Sequence, residues 1–298
     1  MANTEELLDP QLLARLKGLR LRARLMMEGY VSGVHRSPFH GFSVEFAEHR
    51  EYVPGDDLRY LDWKVLARTD KYYLKQFEEE TNLACYLLLD TSESMSYRSP
   101  TAPISKLDYA RRAAAAVAYI VLNQQDSVGL VTFDSEIRFF IRPSSNPSRL
   151  KEIMQAMSEA PASRRTAVGP IFHDLAERVK RRGIIFVFSD LFDDLEAMLA
   201  GLKHLHHCRH EVVLMQVLDP AEVMFPFEQL TLFRGLELPN EVLVAPAAIR
   251  AAYRREFSEY LRKLRVGCRA LAVDHVLLRT DQPLEVSLAR YLASRQRR

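Results

Sequence analysis

The sequence predicts a doubly wound, mostly parallel α/β fold with an N-terminal helical and β-rich extension. Three observations predict it. From residue 84 onward, short apolar runs alternate with longer segments of helical period, the order a parallel sheet requires. The runs around Leu87, Ile184 and Val212 are apolar at successive positions, so both faces of those strands are expected to be covered by helices. Only the runs 128–133 and 137–141, joined by Asp134-Ser135-Glu136, are close enough for a hairpin, so one sheet edge is expected to be antiparallel.

Element by element, strands are expected at 84–90, 128–133, 137–141, 184–189 and 211–218, and helices at 104–123, 147–158, 170–182 and 193–206. After Asp219-Pro220 the pattern is irregular, with a helix at 246–265, a strand at 275–279 and a last helix at 283–296. Upstream, residues 10–28 read as an amphipathic helix ended by Gly29. Leu12, Leu16, Leu19 and Met26 fall near one face, beside Arg15, Lys17, Arg20, Arg22 and Arg24. Such a helix most often packs on its own domain with a solvated basic face, although peripheral membrane contact is also open to it. Phe42, Val44 and Phe46 alternate with Ser43 and Glu45 as in a strand. Pro54-Gly55 then marks a turn, 61–67 is a short element holding Trp63, and 72–77 is extended again. This divides the chain into an extension, 1–80, and an α/β domain, 81–298.

Composition excludes several classes. A chain of 298 residues, 48% hydrophobic and 27% charged, is an ordinary soluble globular composition, long enough for one large or two ordinary domains. Lys plus Arg total 41 against 39 Asp plus Glu, and a net charge of +2 gives no drive toward nucleic acid. Cys85, Cys208 and Cys268 are far apart and odd in number, as expected of reduced thiols rather than a disulfide framework. No apolar run approaches the ~20 residues that span a bilayer. The N-terminus lacks the basic-then-apolar order of a signal peptide, so cytoplasm is the expected location.

The chemistry concentrates at strand ends. The run Leu87-Leu88-Leu89 stops at Asp90, and Ser92 and Ser94 follow at alternate positions. A buried strand ending in Asp-x-Ser-x-Ser sets a carboxylate and two hydroxyls at one point of a sheet edge, and these are hard oxygen donors of the kind Mg²⁺ prefers. Asp190 follows the run 184–189, and Thr166 lies in the loop before the helix expected at 170–182, so both are expected at the same edge. Taken singly, each is a common cap or turn former. Together they make a candidate octahedral site completed by water. Arg164, Arg165 and Glu93 would then belong to its rim.

Other signals are weaker. His204 and Cys208, spaced i,i+4 in a His-rich tract, could face one metal, but the tract reads more simply as a solvated helix end. Ser189 has no Gly-x-Ser-x-Gly elbow around it, and no phosphate-binding glycine fingerprint occurs. The charged residues at 45–71 read as an ion-pair network, with Arg50 or Arg59 on Asp56 or Asp57.

Asp90-Thr91-Ser92-Glu93-Ser94, Thr166 and Asp190 resemble the metal-ion-dependent adhesion site of von Willebrand factor A domains. Gly33-Val34-His35-Arg36-Ser37, the run from Gly41 through Phe46, Arg50-Glu51-Tyr52-Val53-Pro54-Gly55-Asp56-Asp57-Leu58-Arg59 and Leu61-Asp62-Trp63 resemble a bacterial group, domain-of-unknown-function family 58. Its members often accompany MoxR-type AAA+ ATPases. The resemblance implies a von Willebrand A-like fold and a non-catalytic adaptor or chaperone-like role. Mg²⁺, or Mn²⁺, would be bound by Asp90, Ser92, Ser94, Thr166 and Asp190, and the partner would be a MoxR-type ATPase or its client. The alternative is a metal-dependent hydrolase using Asp90 and Asp190. A scaffold with an empty site is a third.

Overall fold

A computed structural model describes residues 7–8, 44–53, 61–69, 71–79, 83–160, 167–237 and 240–296. These fall into two compact units, 44–79 in one, and 83–296 with Leu7 and Leu8 in the other. The smaller unit is an antiparallel pair, β1 (Val44–Glu51) with β2 (Tyr73–Glu79), around a short helix α1 (Trp63–Thr69). Asp62 starts that helix by accepting from the backbone N–H groups of Lys64 and Val65. The helix expected at 10–28, the turn at 54–57 and the proposed pairs of Arg50 or Arg59 with Asp56 or Asp57 lie outside the residues and side chains described.

The larger unit carries the predicted α/β pattern. In chain order it runs β3 (Ala84–Asp90), α2 (Lys106–Asn123), β4 (Ser127–Phe133), β5 (Ile137–Ser144), α3 (Ser148–Glu159), α4 (Val168–Arg178), β6 (Gly183–Ser189), α5 (Leu195–His207) and β7 (Glu211–Leu218). There follow α6 (Pro220–Met224), β8 (Thr231–Arg234), β9 (Glu241–Val244), α7 (Pro246–Ala270), β10 (Asp274–Arg279) and α8 (Leu284–Gln296). Six strands form one sheet in the order β10-β7-β6-β3-β4-β5. All its pairings are parallel except β4 with the edge strand β5, the hairpin expected from the sequence.

Period-two alternation sorts the core into two faces. Cys85, Leu87 and Leu89 of β3 pack with α2, α3 and α8, while Ala84, Tyr86 and Leu88 pack with α4, α5 and α7. The chain leaves β3 toward one layer of helices and leaves β6 toward the other. The point between these adjacent strands is therefore where the winding reverses, the position at which open α/β sheets form a ligand crevice.

Several elements differ from expectation: α7 runs on to Ala270 rather than ending at 265, and the five-residue α6 was not expected. The α4 helix stops at Arg178 rather than at 182, because Val179 turns extended and Lys180-Arg181-Arg182 leads out toward Gly183. The hairpin β8–β9 was not expected. Its strands are only four residues each, too short for alternation to declare itself. Among the described residues, no helix is long and apolar enough to cross a membrane.

Candidate metal centre

Parallel register places the two strand ends side by side: Leu89 of β3 pairs with Phe188 of β6. One residue on, Asp90 and Ser189 share a face, and the Ser189 hydroxyl donates to Asp90 Oδ2 at 2.6 Å. Asp90 Oδ1 accepts from the Ser92 N–H at 2.9 Å, an Asx turn that folds the chain back over the strand end. The turn continues as a 3₁₀ segment, Glu93–Ser96, pinned from below by the fully buried Met95. Ser92 Oγ and Ser94 Oγ lie 3.0 Å apart, within hydrogen-bonding distance. Thr91 ties the loop to the end of β4, donating its N–H at 2.7 Å and its hydroxyl at 3.0 Å to the Phe133 carbonyl.

Asp190 continues the alternation of β6 onto the opposite face, the side of α2. Its Oδ1 accepts from the Phe192 N–H at 3.2 Å, and its carbonyl accepts from Gln216 Nε2 at 3.0 Å. Leu191 holds the next turn in the left-handed region, φ 60°, with its side chain buried and its carbonyl capped by the Tyr260 hydroxyl. Asp90 and Asp190 are both fully buried. Burial pushes the Asp90 carboxyl up to about 7, the nearby Asp190 charge adds to that, and the bonds from Ser189 and Ser92 oppose it. All the Asp90 bonds found here are from neutral donors.

Asp190 has a cationic partner that the sequence reading missed. The Lys106 ammonium donates to Asp190 Oδ2 at 2.7 Å and to Glu222 Oε1 at 2.6 Å, with the lysine side chain only 1% exposed. Glu222 also closes a capping box on α6, accepting from the Asp219 N–H at 2.8 Å while Asp219 accepts from Ala221 N–H at 2.8 Å. Asp219 Oδ2 reaches back to the Ser99 N–H at 2.9 Å. Loops after β3, β6 and β7 thus meet around one ammonium. One signal was available in the sequence: a lysine at the first position of a helix opposes the macrodipole, so its head group is expected to be placed for another reason. Ser189 was legible as well. Its role is to hold the carboxylate beside it rather than to act as a nucleophile.

Of the five residues predicted for the site, the structure brings Asp90, Ser92 and Ser94 together, while Asp190, at the end of the neighbouring strand, turns toward α2 and bears on Asp90 through its charge. Thr166 lies outside the described residues, as do Arg164 and Arg165. The residues next in sequence, Ala167 and Val168, donate their N–H groups to the Asp134 carbonyl at 3.3 Å and to Asp193 Oδ2 at 2.7 Å. Among the described residues, no group of three or more His, Cys, Asp or Glu side chains could hold a metal, so any ion here would depend on hydroxyls. The donor set fits a hard cation: one buried carboxylate held by neutral donors, two hydroxyls in mutual contact and a second carboxylate.

The His-rich tract is the C-terminal end of α5, exposed at Lys203, His206, His207 and Arg209, as its simpler reading expects. His204 meets His173, with the two Nδ1 atoms 2.9 Å apart, rather than Cys208, whose Sγ contacts the Ala176 carbonyl at 3.9 Å. Glycines set that pairing. A Cβ on Gly201 would lie 2.8 Å from the Gly169 carbonyl oxygen and 2.7 Å from Phe172 Cβ, so α4 and α5 touch backbone to backbone one turn away. His275 Nε2 lies 2.9 Å from Gln216 Oε1, and its neighbour Asp274 accepts from the Tyr291 hydroxyl at 3.2 Å.

Known proteins give the chain a family. An uncharacterized protein of Mycobacterium tuberculosis, Rv1480, is 28% identical over 300 aligned positions, covering 97% of this chain and 91% of the relative. Among solved structures, an aerotolerance-related membrane protein from Bacteroides fragilis with multiple mutations to serines aligns at TM-score 0.45 and 17% identity, over 71% of this chain and 99% of that one. The SpRpn10 VWA domain aligns at TM-score 0.42 and 12% identity, over 70% of this chain and 95% of its own. The family described as Protein of unknown function DUF58 matches residues 48–265, and the chain belongs to it.

Proposed function

We propose that this chain is a protein-binding module in which Asp90, Ser92, Ser94 and Asp190, joined by Thr166, hold Mg²⁺ or Mn²⁺ and present it to a carboxylate of another protein. The observation that carries this reading is the strand-end geometry. Asp90, fixed by Ser189 and by the Ser92 N–H, sits at the winding reversal with the paired hydroxyls of Ser92 and Ser94 beside it.

A bound divalent cation supplies an electrophile that a partner's Asp or Glu can meet in a charge-assisted bond. The chain's own residues decide how strong that electrophile is. Ser92 and Ser94 contribute oxygens without charge, so the set neutralises the ion only in part. Ser189 keeps Asp90 in one orientation and spends one of its oxygens. Leu191 and Met95, both fully buried, anchor the two loops so that the donors arrive preorganised. Lys106 occupies Asp190 Oδ2, which leaves that oxygen unavailable to take a proton from a water and favours binding over hydrolysis.

A MoxR-type AAA+ ATPase or its client is the partner that the resemblance implies, with an adaptor or chaperone-like role. Calorimetric titration of Mn²⁺ is expected to give saturable binding to the wild type and none to Asp90→Ala. Equal heats in both would remove the metal reading. In a pulldown with the ATPase, EDTA and Asp90→Ala are each expected to release it. Retention under both conditions would leave the protein-binding role without its ion.

A further inference from the structure

Lys106 is buried, charged and bonded to one of the carboxylates just assigned to the ion. We propose that the Lys106 ammonium is a resident cation that competes with the divalent ion for Asp190, setting how tightly the site loads. This inference rests on the metal reading above and deepens it.

Four observations carry it. First, the ammonium contacts the Asp190 oxygen Oδ2 directly, at 2.7 Å. Asp190 Oδ1 accepts one bond, from the Phe192 N–H at 3.2 Å, so an ion drawing on Asp190 shares the carboxylate with the ammonium or displaces it from Oδ2. Second, the contact is sheltered from water. Lys106 and Asp190 side chains are each 1% exposed, and the ammonium lies 5.2 Å from the Phe192 ring centroid and 5.9 Å from that of Tyr97. In such surroundings an unpaired charge is costly, so two cations contending for one carboxylate feel each other strongly.

Third, the lysine has somewhere to go. Glu222 Oε1 accepts from the same ammonium at 2.6 Å, so release from Asp190 leaves it paired rather than stranded. Glu222 is held in turn by its capping-box bond to the Asp219 N–H. Fourth, the position is unfavourable for a cation on local grounds. Lys106 opens α2, where the exposed N–H groups of the first turn repel a cation, and no described carboxylate of that helix bonds its ammonium. Burial pulls the lysine pKa down, but the charges of Asp190 and Glu222 outweigh it, and the group remains an ammonium throughout the working pH range.

Removing the lysine alone would also make the site more negative, which attracts any cation. The decisive variant is therefore Lys106→Met/Glu222→Gln, which deletes one charge of each sign and leaves the net charge of the full-length protein unchanged. Mn²⁺ affinity, read by calorimetry at pH 8, is expected to rise about tenfold or more over wild type in this double variant, and in Lys106→Met where that single variant folds. The thermal shift on Mn²⁺ saturation is expected to rise with it. Binding by the double variant where wild type shows none would also support the competition. Equal or weaker affinity in the folded double variant, with wild-type binding still abolished by Asp90→Ala, would overturn the competition and leave the metal reading standing. Absence of binding in wild type and variants alike would overturn both.

Discussion

Mn²⁺ affinity is expected to rise about a hundredfold between pH 5 and pH 8 and to level off above pH 7. Asp90 sets this dependence. In the ion-free protein its carboxyl titrates near 7, raised by burial and then by the neighbouring Asp190. A divalent ion binds only the carboxylate, so below that point each unit of pH removes about tenfold of apparent affinity. Calorimetry across this range in buffers of differing ionisation enthalpy would read both the affinity and the proton released on binding. A flat profile above pH 5 would mean that Asp90 titrates as an ordinary exposed carboxylate, and the account of the buried pair would fail.

The same shift has a consequence for the ion-free fold. Between about pH 4 and pH 7 the folded chain holds a proton on Asp90 that the unfolded chain has released. The folded state therefore binds more protons, and the Asp90 contribution to stability falls as pH rises through that window and is level above 7. Bound ion removes the penalty, so its stabilising effect is expected to grow over the same window.

Gly183→Ala is expected to destabilise the protein by about 3 kcal/mol or more. Gly183 opens β6 directly beside Ala84 of β3. A Cβ there would lie 2.2 Å from the Ala84 carbonyl oxygen, a backbone atom that cannot swing aside as a side-chain end would. Ala84 is itself paired to Ser127 on its other edge, so opening the β3–β6 gap strains β3–β4 as well. The damage lies at the far end of the two strands that position Asp90 and Ser189. Urea denaturation would report the loss. A variant within 1 kcal/mol of wild type would show that the sheet relaxes more freely than close-packed strands should.

The fold was legible because its signals are local and repeated. Leu87, Ile184 and Val212 sit in runs buried on both faces, and Asp134-Ser135-Glu136 marks a turn, so the strands and the antiparallel edge follow from composition and spacing. Residues 231–244 were not legible because four-residue strands hold too few alternations to separate from a loop. The site divides the same way. Asp90, Ser92 and Ser94 lie within five positions of one another, and their spacing announces a shared strand end. Lys106 and Glu222 are distant from Asp190 in sequence and from each other, and no local pattern joins them.

The sequence by itself determined the alternation of strands and helices, the oxygen-rich end of β3 and the presence of a second carboxylate at the end of β6. Tertiary structure alone decided that β6 lies against β3 rather than elsewhere in the sheet. It also decided that Ser189 orients Asp90 and that an ammonium from the start of α2 reaches Asp190. The physical reason is that side-chain period and capping act over a few residues, whereas strand order and buried charge pairing are settled only when the whole core closes. A buried charge must then find its partner wherever the chain has placed one.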